Sequence, residues 1–184
     1  MSQSRGASLS YVIVPAGPAD AEAIARVHVT SWRETYRGLL PDGFLARMSV
    51  AGHLRRFRHD LTFPGPNDVT LVALNRYGVF GYASGGPARE GAEGEAEIAT
   101  LYVLRAGQGR GAGKRLVVET ARALAAQGAR SLVISVLRDN IAARGFYERL
   151  GGRADPPREH PGPAGGPVFE VDYRWPDIRD LAES

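Results

Sequence analysis

A glycine-rich segment lies between a strand-like run and a helix-like run, in a position where it can bind an anion. Residues 98–104 are apolar and rich in strand formers, and residues 107–114 read Gly-Gln-Gly-Arg-Gly-Ala-Gly-Lys. A helix that begins at such a turn presents unpaired backbone N–H groups, and its dipole favours negative charge at that end. The pattern therefore indicates a site for a phosphate-like group.

Two nucleotide-binding motifs can be compared with this segment residue by residue. A P-loop requires Gly, four residues, Gly-Lys and then Ser or Thr, but Gln108 stands where its first glycine belongs and Arg115 where its hydroxyl belongs. The P-loop is excluded on both counts. A dinucleotide fingerprint fits better, because residues 107–112 read Gly-x-Gly-x-x-Ala, follow a strand and open a helix.

The position of the segment in the chain favours a third motif. A doubly wound dinucleotide domain has its fingerprint after its first strand and several βα units downstream, whereas only about 70 residues follow Gly113 here. Residues 108–113 read Gln-x-x-Gly-x-Gly, which resembles the Q/R-x-x-G-x-G/A loop of the GNAT superfamily of N-acetyltransferases. In that family the loop binds the pyrophosphate of acetyl-coenzyme A.

A second motif strengthens this resemblance. Residues 140–152 follow the pattern Asn-x-x-Ala-x-x-Phe-Tyr-x-x-Leu-Gly-Gly, which is similar to the GNAT signature after the fifth strand. The resemblance covers nearly the whole chain and is specific over residues 97–152. It implies an α/β fold with a mixed, mostly antiparallel central sheet of about seven strands, flanked by about four helices.

The resemblance also implies which residues contact acetyl-coenzyme A, the expected co-substrate. Backbone N–H groups of the glycine loop bind the diphosphate, because glycines let the backbone approach closely. In the family, strand four diverges from strand five and pairs its exposed backbone groups with the pantetheine arm. Asn140 is a second partner of that arm, although a helix N-cap explains an asparagine there equally well. The expected cofactor-binding residues are Leu101, Tyr102, Val103, Gln108, Gly109, Arg110, Gly111, Ala112, Gly113, Lys114 and Asn140.

Tyr147 is the expected catalytic acid. By resemblance it donates a proton to the departing coenzyme A thiolate, for which a phenol with an ordinary pKa of about 10 is suitable. Asn140 and Tyr147 are two helical turns apart and lie on one stripe of a helix. The structural alternative is a buried core tyrosine.

Glu97 is the expected catalytic base, which takes the proton of the attacking amine directly or through water. It stands eleven residues before Gln108, the offset of the glutamate base in histone-acetylating members of the superfamily. A reaction through water without one indispensable base stays open as the alternative. Strand alternation predicts that Glu97 shares one face with Glu93, Glu95, Leu101 and Val103.

The expected acceptor is a primary amine that attacks the thioester directly in a ternary complex. Trp32 and Tyr36 lie four residues apart on one face of a predicted helix, so we expect them either to line the acceptor pocket or to be core contacts. Small amines, polyamines, aminoglycoside-like compounds and protein lysines all stay open, and the acidic residues 93–97 favour a cationic one. A non-catalytic acyl-coenzyme A sensor of the same fold is the alternative, against which intact Tyr147 and Glu97 argue.

The elements that must position these residues follow from hydrophobic periodicity. Strands are predicted over residues 9–14, 69–74, 79–84, 95–104, 131–137 and 168–175. Helices are predicted over residues 18–37, over 42–60 with a break near 49–52, from the glycine loop to Gly128, and over 140–150. Residues 1–184 are expected to form one domain, with 1–8 as a disordered tail and the Pro/Gly-rich 155–167 as a mobile loop.

Composition limits the remaining function classes. The 184 residues with 43% hydrophobic content supply one core, and the net charge of +3 is too small to indicate a nucleic-acid surface. A short basic cluster, residues 55–59, is better explained as a solvated helix face. The absence of cysteine and the unsuitable spacing of the histidines predict no metal site. We expect a cytoplasmic protein without a membrane partner, and the family resemblance suggests a homodimer.

Overall fold

The computed structural model describes residues 11–183, so the tail predicted over residues 1–8 lies outside the described residues. The described chain forms one sheet of eight strands with six α-helices and two short 3-10 helices, Pro18–Asp20 and Arg105–Gly107. The expected α/β architecture is confirmed, and the helix predicted over residues 42–60 is divided in two near the predicted break. The strands are β1 (Val12–Pro15), β2 (Val69–Asn75), β3 (Gly78–Pro87), β4 (Glu95–Val103), β5 (Ser131–Leu137), β6 (Arg153–Ala154), β7 (Arg158–Pro161) and β8 (Pro167–Trp175). The helices are α1 (Ala21–Thr35), α2 (Asp42–Arg47), α3 (Val50–Thr62), α4 (Ala112–Ala126), α5 (Ile141–Arg149) and α6 (Ile178–Ala182).

The strand order across the sheet is β1-β2-β3-β4-β5-β8-β6, and β7 pairs with the same outer edge of β8 as β6 does. All described neighbours are antiparallel except β4 and β5. These two parallel strands pair only at positions 95–97 and 131–133. Beyond those positions they diverge, so the facing edges of residues 98–103 and 134–137 have no strand partner.

Helices cover both faces of the sheet. On one face, α4 and α6 bury apolar side chains against the middle strands; this cluster includes Leu116, Leu124, Leu181, Ile98 and Ile134. On the other face, α1 and α3 pack against β2 and β3; this cluster includes Ile24, Val27, Phe57, Val72 and Tyr82. A smaller cluster joins the end of α1 and α2 to the ends of β5 and β8 through Leu40, Leu45, Leu137 and Val168. The cluster around α4 includes residues on both sides of the divergence, Ile98 on β4 and Ile134 on β5, so the two halves of the sheet share one core.

A bulge interrupts β4 in the middle of the predicted site. Ser84 pairs with Thr100 and Gly85 pairs with Ile98, so Ala99 has no partner on β3. An extra residue of this kind shifts the alternation of side chains by one position.

The bulge changes the face on which Glu97 lies. Ile98, Leu101 and Val103 all contact the cluster around α4, whereas Tyr102 contacts the cluster around α1 and α3. Glu97, which precedes Ile98, therefore shares the α1 face with Tyr102. The prediction that Glu97 lies on one face with Leu101 and Val103 is wrong, because it counted the alternation through the bulge.

The segment predicted as a loop over residues 155–167 contains a strand, so that part of the prediction is wrong. β7 pairs with β8 from Arg158 opposite Glu170 to Pro161 opposite Pro167, and residues 162–166 form the turn between them. Prolines are compatible with this position because β7 is an edge strand whose outer N–H groups need no partner. Pairing with β8 therefore overrides the loop-like composition.

Candidate functional site

A cleft of about 590 Å³ fills the gap between the diverging strands. One wall is β4 from Ile98 to Val103, and the opposite wall is β5 and α5. The end of α1 covers the cleft from one side, and the glycine loop closes its far end. The predicted residues that line it are Tyr36, Leu101, Tyr102, Val103, Gln108, Gly109, Gly111, Gly113, Lys114, Asn140 and Tyr147.

The glycine loop ends in a left-handed residue at the start of α4. Gly111 is the N-cap of this helix and has a φ of 81°, a conformation that residues with a Cβ rarely adopt. The first-turn N–H groups of a helix have no intrahelical partners. Because Gly111 and Gly113 both line the cleft, this end of the cleft has the donors and the helix dipole that an anion requires.

Gln108 holds the loop in place. Its side-chain Nε2 donates to the backbone carbonyl of Val103 at 2.8 Å, so it connects the loop to the end of β4.

Two other predicted cofactor residues do not line the cleft. Ala112 is buried in the core, and the carbonyl of Arg110 accepts from the hydroxyl of Tyr11. Lys114 is the predicted cationic residue that does line it.

Tyr147 lies between the cleft and the core. Its ring packs against Phe146, Tyr173 and Trp175, and only 6% of the residue is exposed. Burial raises the pKa of Tyr147 above its ordinary value of 10.0, and nearby Tyr36 acts in the same direction. The phenol is therefore protonated at neutral pH, as a proton donor must be.

Asn140 caps α5. Its side-chain oxygen accepts from the backbone N–H of Ala143 at 3.2 Å, so the N-cap explanation of this residue is correct. The side chain also lines the cleft. Since the carboxamide oxygen is already used, its NH2 group is the part that can donate to a ligand.

The aromatic residues of α1 have different positions. Tyr36 lines the cleft, and its hydroxyl and that of Tyr102 lie 3.2 Å apart. Burial raises the pKa of both phenols. Trp32 does not line the cleft; its ring contacts His28 and Phe44 as well as the two tyrosines, and its Nε1 is buried without a partner among the described residues. The geometry therefore makes Tyr36 a cleft residue and Trp32 a core contact.

Glu97 lies outside the cleft lining. Its carboxylate accepts from Nε of Arg89 at 2.7 Å. Glu95 is likewise paired, with Arg174 at 2.5 Å. Both carboxylates of β4 therefore have cationic partners, so these two residues no longer favour a cationic acceptor. For Glu97 to act as the base, its carboxylate has to separate from Arg89, and the proton of the amine has to reach it through water.

Several cleft residues were not predicted from the sequence. Phe146 precedes Tyr147 in the second motif, and its ring lies 3.5 Å from the position that a Cβ on Gly113 would take. Ser135 is exposed and lines the cleft where β5 has lost its partner β4. The unpaired end of a strand is the signal that could have identified Ser135. The remaining unpredicted lining residues are Glu34, Thr35, Ile98, Ala99, Thr100, Arg105, Ile134, Val136, Ala142, Ala143 and Arg149.

Within residues 11–183, no group of three or more His, Cys, Asp or Glu side chains is placed to hold a metal ion. None of the helices in that range is both long and apolar enough to cross a membrane.

Comparison with known proteins gives one family. The sequence model described as the acetyltransferase (GNAT) family matches residues 29–152. The uncharacterized N-acetyltransferase YuaI of Bacillus subtilis is 31% identical over 166 residues, which cover 88% of this chain and 91% of that protein.

Solved structures share the fold. PaiA N-acetyltransferase of Thermoplasma acidophilum, solved in complex with coenzyme A, matches with a TM-score of 0.68 and 19% identity over 90% of this chain and 99% of its own. YncA of Salmonella typhimurium, a putative acetyltransferase solved with acetyl-coenzyme A, matches with a TM-score of 0.67 and 20% identity over 91% and 94% of the two chains.

Proposed function

The chain belongs to the acetyltransferase (GNAT) family, and from that premise we propose that it transfers the acetyl group of acetyl-coenzyme A to a primary amine. The observation that carries the proposal is a cleft with two kinds of backbone donor. Residues 98–103 offer an unpaired strand edge, which suits the amides of the pantetheine arm. The glycine loop offers the start of α4, which suits the diphosphate.

Fold neighbours support the choice of co-substrate. The PaiA and YncA structures contain coenzyme A and acetyl-coenzyme A respectively. The residues of this chain fit such a ligand, because Lys114 adds positive charge beside the loop and Gly113 leaves the space in front of Phe146 open. A Cβ at Gly113 would occupy that space.

The proposed reaction is direct attack in a ternary complex. The nitrogen of the amine forms a bond to the thioester carbonyl carbon, and the C–S bond then breaks. Tyr147 gives its phenolic proton to the departing thiolate and recovers one from solvent, while the proton of the amine passes through water to Glu97 and then to solvent. The products are the N-acetylated amine and the free thiol of coenzyme A.

The first test is binding of the co-substrate. We expect calorimetric titration with acetyl-coenzyme A to give one site per chain, and titration with NAD to give none. Gly111→Val should weaken acetyl-coenzyme A binding about tenfold or more, a change of about 1.4 kcal/mol or more. Gly128→Val is the matched control, because Gly128 also has a positive φ, of 100°, but lies outside the cleft.

The second test is turnover. Release of the thiol of coenzyme A is followed with spermidine, lysine, kanamycin and a lysine-containing peptide as acceptors. Binding of NAD in place of acetyl-coenzyme A would refute the proposal at the glycine loop. Tight binding of acetyl-coenzyme A with no thiol release for any acceptor would favour the non-catalytic sensor instead.

A further inference from the structure

Ser135 is a polar side chain at the point where the cleft begins. It lies two residues after Val133, the last residue of β5 that pairs with β4. Its side chain is exposed and lines the cleft. On β8 its partner in register is Asp172, and the Ser135 hydroxyl donates to Oδ1 of Asp172 at 2.6 Å.

Asp172 holds this hydroxyl in a defined orientation. Only 4% of Asp172 is exposed, and its second oxygen, Oδ2, accepts from the guanidinium of Arg158 and lies 3.6 Å from that of Arg174. A serine hydroxyl has one proton and two acceptor lone pairs, and an ionised carboxylate only accepts. Since Asp172 takes the proton of Ser135, the hydroxyl can only accept hydrogen bonds from a ligand in the cleft.

The side of the sheet that Ser135 occupies is not the side covered by α4. Its neighbours Ile134 and Val136 pack into the cluster around α4, whereas Leu137 contacts the cluster at the end of α1. By alternation, Ser135 therefore faces the α1 side, as Glu97 does. The glycine loop closes the far end of the cleft, so a co-substrate bound there leaves the end beside Ser135 for the second substrate.

We propose that Ser135 Oγ accepts a hydrogen bond from the N–H group of the acceptor amine and directs the nitrogen lone pair toward the thioester carbonyl. Asp172 is a positioning residue that acts through Ser135 by taking its proton. This inference rests on the proposed acetyl transfer. It assigns to the cleft a subsite for an N–H donor, which a carboxylate or another group without a proton cannot use.

The experiment compares three serine variants with the wild type, using the acceptor in the amine panel that the wild-type protein acetylates fastest. Ser135→Ala should lower kcat/KM for the amine by about 10- to 100-fold, the range expected when one hydrogen bond is lost. The Kd of acetyl-coenzyme A should stay the same, and Ser135→Thr should restore most of the rate because it keeps the hydroxyl. Ser131→Ala is the matched control, four residues earlier on the same strand and outside the cleft lining.

Asp172→Asn tests the positioning role, since the neutral amide no longer requires the proton of Ser135. We expect a loss of kcat/KM close to that of Ser135→Ala, and no further loss in the double variant. Asp172→Asn removes the charge that pairs with Arg158 and Arg174, so circular dichroism and acetyl-coenzyme A binding are used to check that this variant is folded. If it is not folded, the comparison of Ser135→Ala with Ser135→Thr tests the inference alone.

The outcomes separate the inference from the proposed function. If the wild type transfers acetyl groups and Ser135→Ala behaves like Ser131→Ala, the inference is refuted and the proposed function stands. If Ser135→Ala instead weakens acetyl-coenzyme A binding, the hydroxyl serves the co-substrate and the inference is also refuted. If the wild type acetylates no amine, both are refuted together.

Discussion

His28 links the stability of the fold to pH. It is 5% exposed and surrounded by the rings of Trp32, Phe57 and two tyrosines, and its Nδ1 lies 2.7 Å from the hydroxyl of Tyr82. Burial lowers the pKa of His28 from 6.5 to about 3, and electrostatic interactions with His53 and Arg56 act in the same direction. The imidazole is therefore neutral in the folded protein at any pH near neutrality.

The sign of the effect follows from proton binding. Below pH 6.5 the imidazole of the unfolded chain takes up a proton that the folded protein does not bind, so the free energy of unfolding falls as the pH falls. The loss is about 1.4 kcal/mol per pH unit once the unfolded imidazole is mostly charged. Between pH 7 and pH 5 we therefore expect His28 to remove about 2 kcal/mol of stability. The folded pKa hardly affects this value, because the folded imidazole stays neutral throughout the interval.

The measurement is urea unfolding at pH 7, 6 and 5 for the wild type and for His28→Gln, which keeps a hydrogen-bonding group for Tyr82 but does not titrate. The free energy of unfolding of the wild type minus that of the variant should decrease by about 2 kcal/mol over the interval. His59→Gln is the control, because the His59 side chain is 70% exposed on the neighbouring helix α3. A difference that stays constant from pH 7 to pH 5 would show that His28 is not buried as a neutral group.

Three further predictions concern single side chains. Tyr147→Phe should lower kcat about 100-fold without changing the Kd of acetyl-coenzyme A, and the wild-type rate should show no loss from ionisation of this phenol up to pH 10, since burial raises its pKa above that value; equal kcat values would remove Tyr147 from the reaction. Glu97→Gln should lower kcat/KM at neutral pH and recover as the pH rises, because more of the amine is then already deprotonated; a uniform loss at every pH would argue against a base. Gly145→Ala should raise the free energy of unfolding by about 1 kcal/mol, because the new methyl group meets only the end of the Arg149 side chain at 3.4 Å; a destabilised variant in urea unfolding would contradict this.

The parts of the site that could be predicted from the sequence are local. The strand, the glycine turn and the helix are consecutive, so their signals are next to one another in the chain, and Gly111 has the positive φ that the motif requires. Asn140 and Tyr147 share one helix for the same reason. Short-range patterns determine such features because few distant residues contribute to them.

The parts that could not be predicted depend on distant partners. The bulge at Ala99 is defined only by the register of β4 against β3, and without it the face of Glu97 cannot be assigned. The bond from Ser135 to Asp172 joins residues 37 positions apart, on strands that become neighbours only when the sheet forms. Trp32 became a core contact because α2 and β4 supply Phe44 and Tyr102 around it.

The divergence of β4 and β5 has a consequence for aggregation. An unpaired strand edge is a template on which another chain can add a strand. This sheet has two such edges in its interior, along residues 98–103 and 134–137. They face each other across the cleft, which ends where β4 and β5 pair. A foreign strand has to enter as a single extended chain, with helices on both sides. The unpaired backbone groups in the cleft are therefore accessible to a narrow, extended ligand but not to the edge strand of another protein's sheet.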